Sequence, residues 1–338
     1  LMDFRFSEDQ LALAETVRDY LSGTHGPEVL RRLDAEGARD PAIWNGLAEM
    51  GLTGLLVPET HGGLGMCLVD AALIAVECGR ACLAEPLVDT AFVAVPWLLT
   101  KGETDQLAAI VAGEVKVPLR HAINPWVADG SSARHPREGG DPRTQTNPEK
   151  AMSLDSRLRG NDELVSVDPL RVLSKGTGDN DPHLLNLGAL MCAAQLVGLA
   201  DAMLSQATEY AKIRTQFGQP IGAFQGIKHQ LASCAVAIEF AKPVVWRAAA
   251  AMQDGLSSAP LHVSHAKVAA TDAAMLTAET AIQVHGAMGY TYEVDLHFWM
   301  KRSWALAGAW GSRAFHLKRV EEAVLGGAQP IGSEHTFA

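Results

Sequence analysis

The sequence predicts a mainly α-helical protein, with an amino-terminal helical domain, a reduced or disrupted middle β-domain and a carboxy-terminal helical bundle. Three observations carry this prediction. Apolar residues recur at helical spacing through most of residues 6–113 and again beyond residue 182. Runs rich in β-branched residues beside Pro and Gly are confined to residues 115–127 and 164–173. Between those runs, residues 130–162 lose almost all apolar character and fill with Gly, Pro, Arg and Asp.

The amino-terminal domain, residues 1–113, opens with Ser7 placed to cap a helix and Gln10 at the reciprocal capping-box position. Leu11, Ala14, Val17 and Leu21 then follow on one helical face. Breakers punctuate the connections at Gly51, Gly54, Pro58, Gly62, Gly63 and Gly65, and a helix rich in Ala and Leu covers residues 70–82. The three closely spaced glycines are not a GxGxxG nucleotide loop. Residues 114–181 are expected to form the reduced β-domain. A structureless stretch as long as 130–162 is uncommon in a packed domain, so this segment is read as a disordered insertion.

The bundle, residues 182–328, begins with Leu187, Leu190, Met191, Ala194, Val197 and Met203 on a long amphipathic helix reaching about Ile213. A Gly-Pro loop leads to a helix over residues 225–252, which Pro243 is placed to kink or end. Further helices are expected over 260–285, 294–307 and 313–325, followed by a tail at 329–338.

Composition narrows the function classes. With 28 Lys plus Arg against 39 Asp plus Glu, the net charge of −11 gives no broad attraction to nucleic acid or an anionic membrane. The five cysteines lack CxxC spacing, which argues against a disulfide framework and a zinc site, and a reducing cytoplasmic location is expected. The histidines form no HExxH or similar ligand pattern, so no metal is expected. No apolar run was expected to reach the roughly 20 residues of a membrane span, and the acidic start lacks the features of a signal peptide.

Two blocks can carry chemistry. YAKIRTQFGQPIGAFQ puts Arg214 at a helix end, followed by Gln216, Phe217, Gly218 and then Gln225 at the next helix start. A guanidinium forks two oxygens of a pyrophosphate, amides complete the hydrogen bonding, and glycine lets backbone approach. An arginine complementing its own helix dipole explains the same residue. In AIQVHGAMGYTYE, Gln283, His285 and Gly286 close another helix, where a glycine C-cap is the plainer account.

In this order the blocks resemble the acyl-CoA dehydrogenase family, whose motifs read approximately R-x-x-F-G-x-x-I-x-x-x-Q and Q-x-x-G-G-x-G-Y. FSEDQLALAETVRDYL, GLTGLLVPETHGGLG and AVECGRACLAEPL extend the resemblance through the amino-terminal domain. The resemblance implies FAD as cofactor, an acyl-CoA substrate, and contacts from Arg214, Gln216, Phe217, Gln225, Gln283 and Gly286 to the adenosine diphosphate part of FAD, against the flavin of a neighbouring subunit. Ala287 stands where the second glycine is usual. The family's chemistry needs a carboxylate to take the α proton of the thioester while hydride passes to the flavin. The two positions where family members carry that glutamate hold Trp310 and Gly188, so the catalytic residue is unknown, and Asp201, Asp272 and Glu279 are the other carboxylates considered. The flavin-gripping T-E-P-x-x-G-S-D strand is missing too, although NPWVAD resembles the start of a reduced version. The resemblance therefore implies the short subunit of a heteromeric enzyme, paired with a full-length acyl-CoA dehydrogenase subunit. The alternatives are a homo-oligomer with a displaced base, and a non-catalytic helical interaction protein or decayed family member without flavin activity.

Overall fold

The structure is a computed structural model, which describes residues 5–36, 39–117, 119–124, 126–128, 163–165, 172–175, 179–329 and 332. Residues 130–162 of the proposed insertion lie outside the described residues. Helix α1 (Glu8–Thr24) starts as its sequence dictates. Ser7 Oγ accepts from the Gln10 amide while the Gln10 side chain accepts from the Ser7 amide. Helices α2 (Pro27–Glu36), α3 (Pro41–Glu49) and α4 (Leu68–Arg80) follow. A π-helical turn, Val88–Ala94, then runs into α5 (Val95–Lys101), and α6 (Leu107–Val111) completes this part.

Three short strands come next: β1 (Trp126–Ala128), β2 (Glu163–Val165) and β3 (Val172–Lys175). They form one antiparallel sheet in the order β1-β3-β2, with Val127 opposite Ser174 and Leu164 opposite Leu173. The expected strand over 115–127 is realised only at its end. Residues 115–117 instead lie along the amino-terminal helices, with the Val117 amide donating to Thr90 Oγ1 at 3.2 Å.

Helix α7 (Pro182–Ile213) organises the bundle. Asp181 caps its first turn by accepting from the His183 amide at 2.8 Å, and Pro182 occupies the first-turn position where a missing N–H costs nothing. The Lys101 ammonium, 2.6 Å away, holds the Asp181 carboxyl down to about 2. Contrary to the expectation from sequence, α7 has the length and apolar content of a membrane span, because no charge interrupts it before Asp201. Its most apolar window is 83% buried within the protein, so it is the core helix of the fold.

Helices α8 (Gln225–Gln253), α9 (Ala259–His285), α10 (Leu296–Gly308) and α11 (Arg313–Leu325) surround it. Pro243 neither ends nor shortens α8; it lies on the exposed side of the helix, where the carbonyl left without an N–H partner is open to solvent. Helix α4 crosses α7 at glycine on both sides. A Cβ on Gly79 would lie 2.1 Å from the Gln195 carbonyl oxygen, and one on Gly198 would lie 1.9 Å from that of Val76. One continuous apolar core therefore runs from Leu21 and Leu47, through Ile74 and Leu196, to Val263 and Leu296.

Two deeply buried histidines make the fold acid-sensitive. Burial lowers both His25 and His316 to about 4 from an ordinary value of 6.5. Between these values the unfolded chain takes up protons that the folded chain refuses. Stability is therefore complete above about pH 6.5 and falls as pH drops toward 4, by roughly 1.4 kcal/mol per pH unit for each histidine. Urea midpoints recorded from pH 7.5 to 4.5 should decline, and replacing His316 with Gln should flatten the decline. A flat profile in the parent chain would contradict this assignment.

Candidate functional site

The two sequence blocks meet at the carboxy-terminal ends of α7 and α9. Tyr210 stacks on His285 with ring centres 4.3 Å apart, and its hydroxyl lies 3.7 Å from Met288 Sδ. Arg214 follows one turn later as the C-cap of α7, and Gln283 precedes His285 on α9. Beyond Arg214 the chain makes a two-residue hairpin, β4 (Thr215–Gln216) against β5 (Gln219–Pro220). Its turn residues Phe217 and Gly218 have φ of 52° and 80°, which is the type I′ geometry that matches strand twist. Glycine adopts this readily, whereas a phenylalanine there costs roughly 1–3 kcal/mol. Phe217 is nevertheless 92% exposed, its ring meeting Phe224 edge-on with centres 6.1 Å apart. The Ile221 amide donates to the Arg214 carbonyl at 2.8 Å and returns the chain to the start of α8 at Gln225.

Arg214, Gln216, Phe217, Gln225, Gln283 and Gly286 are all exposed. Gly286 has φ 61° and ψ −137°, a combination open in practice only to glycine, and a Cβ there would meet nothing within 4 Å. Ala287 lies in the following turn (Gly286–Tyr290) without a positive φ, so alanine is tolerated where the family pattern has glycine. The donor set suits the pyrophosphate and adenosine of FAD: a guanidinium, three amide side chains, an aromatic face and open glycine backbone. A shallow cavity of about 230 Å³ lined by Ser257, Leu261, Arg319 and Gln329 shares no residue with this surface and has no bearing on it.

The carboxylates considered as alternative bases are engaged elsewhere or face solvent, as structural or surface helix residues do. Asp201 receives Arg80 Nη2 at 2.7 Å and lies 3.6 Å from Lys242 Nζ. Asp272 is forked by Arg313 at 2.5 and 2.9 Å, and Glu279 is exposed. The buried acids are also committed. Glu77 is forked by Arg18 and bonded by Arg80, Glu85 lies between Arg39 and Lys116, and Asp70 accepts from Gln10 and the Cys67 amide.

Gly188 and Trp310, far apart in the chain, are in contact. A Cβ on Gly188 would sit 2.0 Å from Trp310 Cδ2, so the indole lies flat against that turn of α7. Trp310 is 3% exposed and has φ of 55°. Its amide donates to Asn124 Oδ1 at 3.1 Å, and its carbonyl accepts from His316 Nε2 at 2.9 Å. His316 Nδ1 lies 3.1 Å from Ser264 Oγ, whose hydroxyl donates to the Pro260 carbonyl at 2.9 Å. The Lys267 ammonium bonds the carbonyls of Leu306 and Ala307 at 2.5 and 3.3 Å, ending α10 just before this turn. Sequence reasoning missed Asn124, Ser264, Lys267 and His316 as supports of Trp310. Nothing in their spacing signals the contact.

The family model for the acyl-CoA dehydrogenase amino-terminal domain matches residues 7–113, and that for the carboxy-terminal domain matches residues 182–325. The acyl-CoA dehydrogenase IpdE2 of Mycobacterium tuberculosis is 30% identical over 331 residues, covering 94% of this chain and 98% of the relative. IpdE2 of Mycolicibacterium smegmatis is 32% identical, covering 94% and 99%. Among solved structures, the ChsE4-ChsE5 complex from Mycobacterium tuberculosis superposes with a TM-score of 0.77 at 20% identity, covering 98% of this chain and 100% of that one. Butyryl-CoA dehydrogenase from Megasphaera elsdenii gives 0.74 at 21% identity, covering 96% and 100%. These two structures share the fold. Two matched domains and relatives aligned over almost their whole length establish that this chain belongs to the acyl-CoA dehydrogenase family of oxidoreductases acting on CH–CH bonds.

Proposed function

We propose that this chain is one subunit of a heteromeric acyl-CoA dehydrogenase, and that it supplies the adenine-end contacts of an FAD shared with a full-length partner subunit. The observation that carries the reading is the outward-facing cofactor surface. Arg214, Gln216, Phe217, Gln225, Gln283 and Gly286 are exposed, while both positions for a catalytic carboxylate are filled by Trp310 and Gly188. Flavin, when bound, accepts the hydride that leaves the β carbon of an acyl-CoA thioester. Arg214 neutralises pyrophosphate charge, the glutamine amides orient the nucleotide, and Phe217 gives it an apolar face. The carboxylate that takes the α proton belongs to the partner. The similarity to IpdE2 and to the two-protein ChsE4-ChsE5 complex supports this division of labour.

Co-expression with full-length acyl-CoA dehydrogenases from the same genome tests the reading. The two chains should purify together with bound FAD. Arg214→Ala should weaken FAD binding about 10- to 100-fold, the worth of a charge-assisted hydrogen-bond pair, and leave the helical circular dichroism unchanged. The reading fails if the isolated chain holds one FAD per copy and dehydrogenates acyl-CoA unaided. Absence of FAD with every partner would instead favour a non-catalytic helical interaction protein.

A further inference from the structure

The exposed nucleotide surface is divided between two helix ends that are distant in the chain. Arg214 caps α7, whereas Gln283 and Gly286 close α9. Among the described residues, the block 210–225 meets the block 283–290 through one hydrogen bond, from the Tyr210 hydroxyl to Met288 Sδ at 3.7 Å. Tyr210 also supplies the ring contact between them, its stack on His285.

Each ring is tied to the part of the surface on its own helix. The Tyr210 carbonyl accepts the Arg214 amide at 2.8 Å, so the phenol ring lies one turn before the guanidinium and on the residue that caps it. His285 is 5% exposed, and its Nδ1–H donates to the Ala281 carbonyl at 2.8 Å, which fixes the imidazole against α9. Gly286 follows it directly, and Gln283, two residues before, is exposed on the other side of the helix. The two rings are stacked with planes 28° apart. Their placement matters more than the area they bury. Helices α7 and α9 already make the most extensive helix contact of the fold, through residues such as Ala207 and Ala278 farther from their ends. Helix ends lose order first, because their last carbonyls lack intrahelical partners. A pyrophosphate gripped by two frayed ends must order both on binding, and that ordering weakens affinity.

We propose that Tyr210 and His285 are positioning residues for the FAD site, whose stack holds Arg214 in register with Gln283 and Gly286 so that the two helix ends grip the cofactor as one preformed surface. The proposal rests on the subunit reading above. Neither ring has to touch the cofactor in this role. The aromatic contact carries it, and the Tyr210 hydroxyl, facing only a thioether, adds little.

FAD titration of the co-purified complex, stripped of cofactor and followed by flavin fluorescence, tests the proposal. The series comprises the parent, Tyr210→Ala, Tyr210→Leu, His285→Gln, the double variant Tyr210→Ala/His285→Gln, and Tyr210→Phe, which keeps the ring. Melting temperatures identify which variants remain folded. Folded variants without the stack should bind FAD about 3- to 10-fold more weakly, and Tyr210→Phe should stay within about 2-fold of the parent. The double variant should lose no more than the worse single, because both substitutions remove the same interaction. The proposal is overturned if folded variants without the stack bind FAD as the parent does, if Tyr210→Phe loses as much as Tyr210→Ala, or if the single losses add. It is equally overturned if every variant without the stack unfolds, since the pair would then serve the fold and not the surface. Arg214→Ala separates this proposal from the reading beneath it. Weaker FAD binding by Arg214→Ala, with none in the folded stack variants, overturns the positioning role alone. Parent-like FAD binding by Arg214→Ala, or chains that do not co-purify, overturns the subunit reading. In the latter case the same series is titrated on the isolated chain and judged by the same outcomes.

Discussion

Gly198→Ala should destabilise the protein by about 3 kcal/mol or more, and Gly198→Leu should leave no soluble folded chain. Local reasoning gives the opposite sign, since glycine inside a helix is roughly 1 kcal/mol worse than alanine. The difference lies in the crossing of α4 and α7. A methyl group on Gly198 would stand 1.9 Å from the Val76 carbonyl oxygen and 2.7 Å from the Arg80 amide nitrogen, both backbone atoms that no rotamer change can move. Gly79 faces the reciprocal restriction against Gln195. Accommodating the methyl requires the two buried helices to separate, and closely packed interiors tolerate little such movement. Total stabilities of about 5–15 kcal/mol leave small room for the leucine variant. Urea denaturation of parent and Gly198→Ala decides the matter. A higher midpoint in the variant would refute the close crossing.

Glu77→Ala should cost about 3–5 kcal/mol, far more than a surface ion pair contributes. Glu77 is 4% exposed and accepts a fork from Arg18 Nε and Nη2, each at 2.8 Å, plus Arg80 Nε at 3.0 Å. Arg80 continues to Asp201 at 2.7 Å, and Lys242 approaches the same carboxylate at 3.6 Å. The network joins α1, α4, α7 and α8, so removing its central carboxylate deprives Arg18 of the carboxylate it forks and leaves Arg80 with Asp201 alone. Arg18→Ala should cost less, because that side chain is half exposed and its loss leaves Glu77 still paired with Arg80. Chemical denaturation of both variants checks the ordering. A Glu77→Ala cost below about 1 kcal/mol would reduce the network to surface pairing.

Much of the architecture is legible because helices are specified locally. The capping box of Ser7 and Gln10 appears as read, as do the start of α8 at Gln225 and the span of α11. The strand expected over 115–127 does not form along most of its length, because β propensity at Val115 and Val117 yields to packing against the amino-terminal helices. The uninterrupted apolar run of α7 has the length and composition of a bilayer span. Only its 83% burial identifies it as a core helix.

The sequence by itself determined the helical class, the helix ends and the two motif blocks that name the family, because caps, periodicity and short spacings act over a few residues. Tertiary structure alone decided that the blocks meet through Tyr210 and His285, that their polar side chains face outward, and that Trp310 lies on Gly188. Those contacts join residues distant along the chain. Their free energy comes from excluded volume and buried hydrogen bonds between elements, which no local pattern encodes.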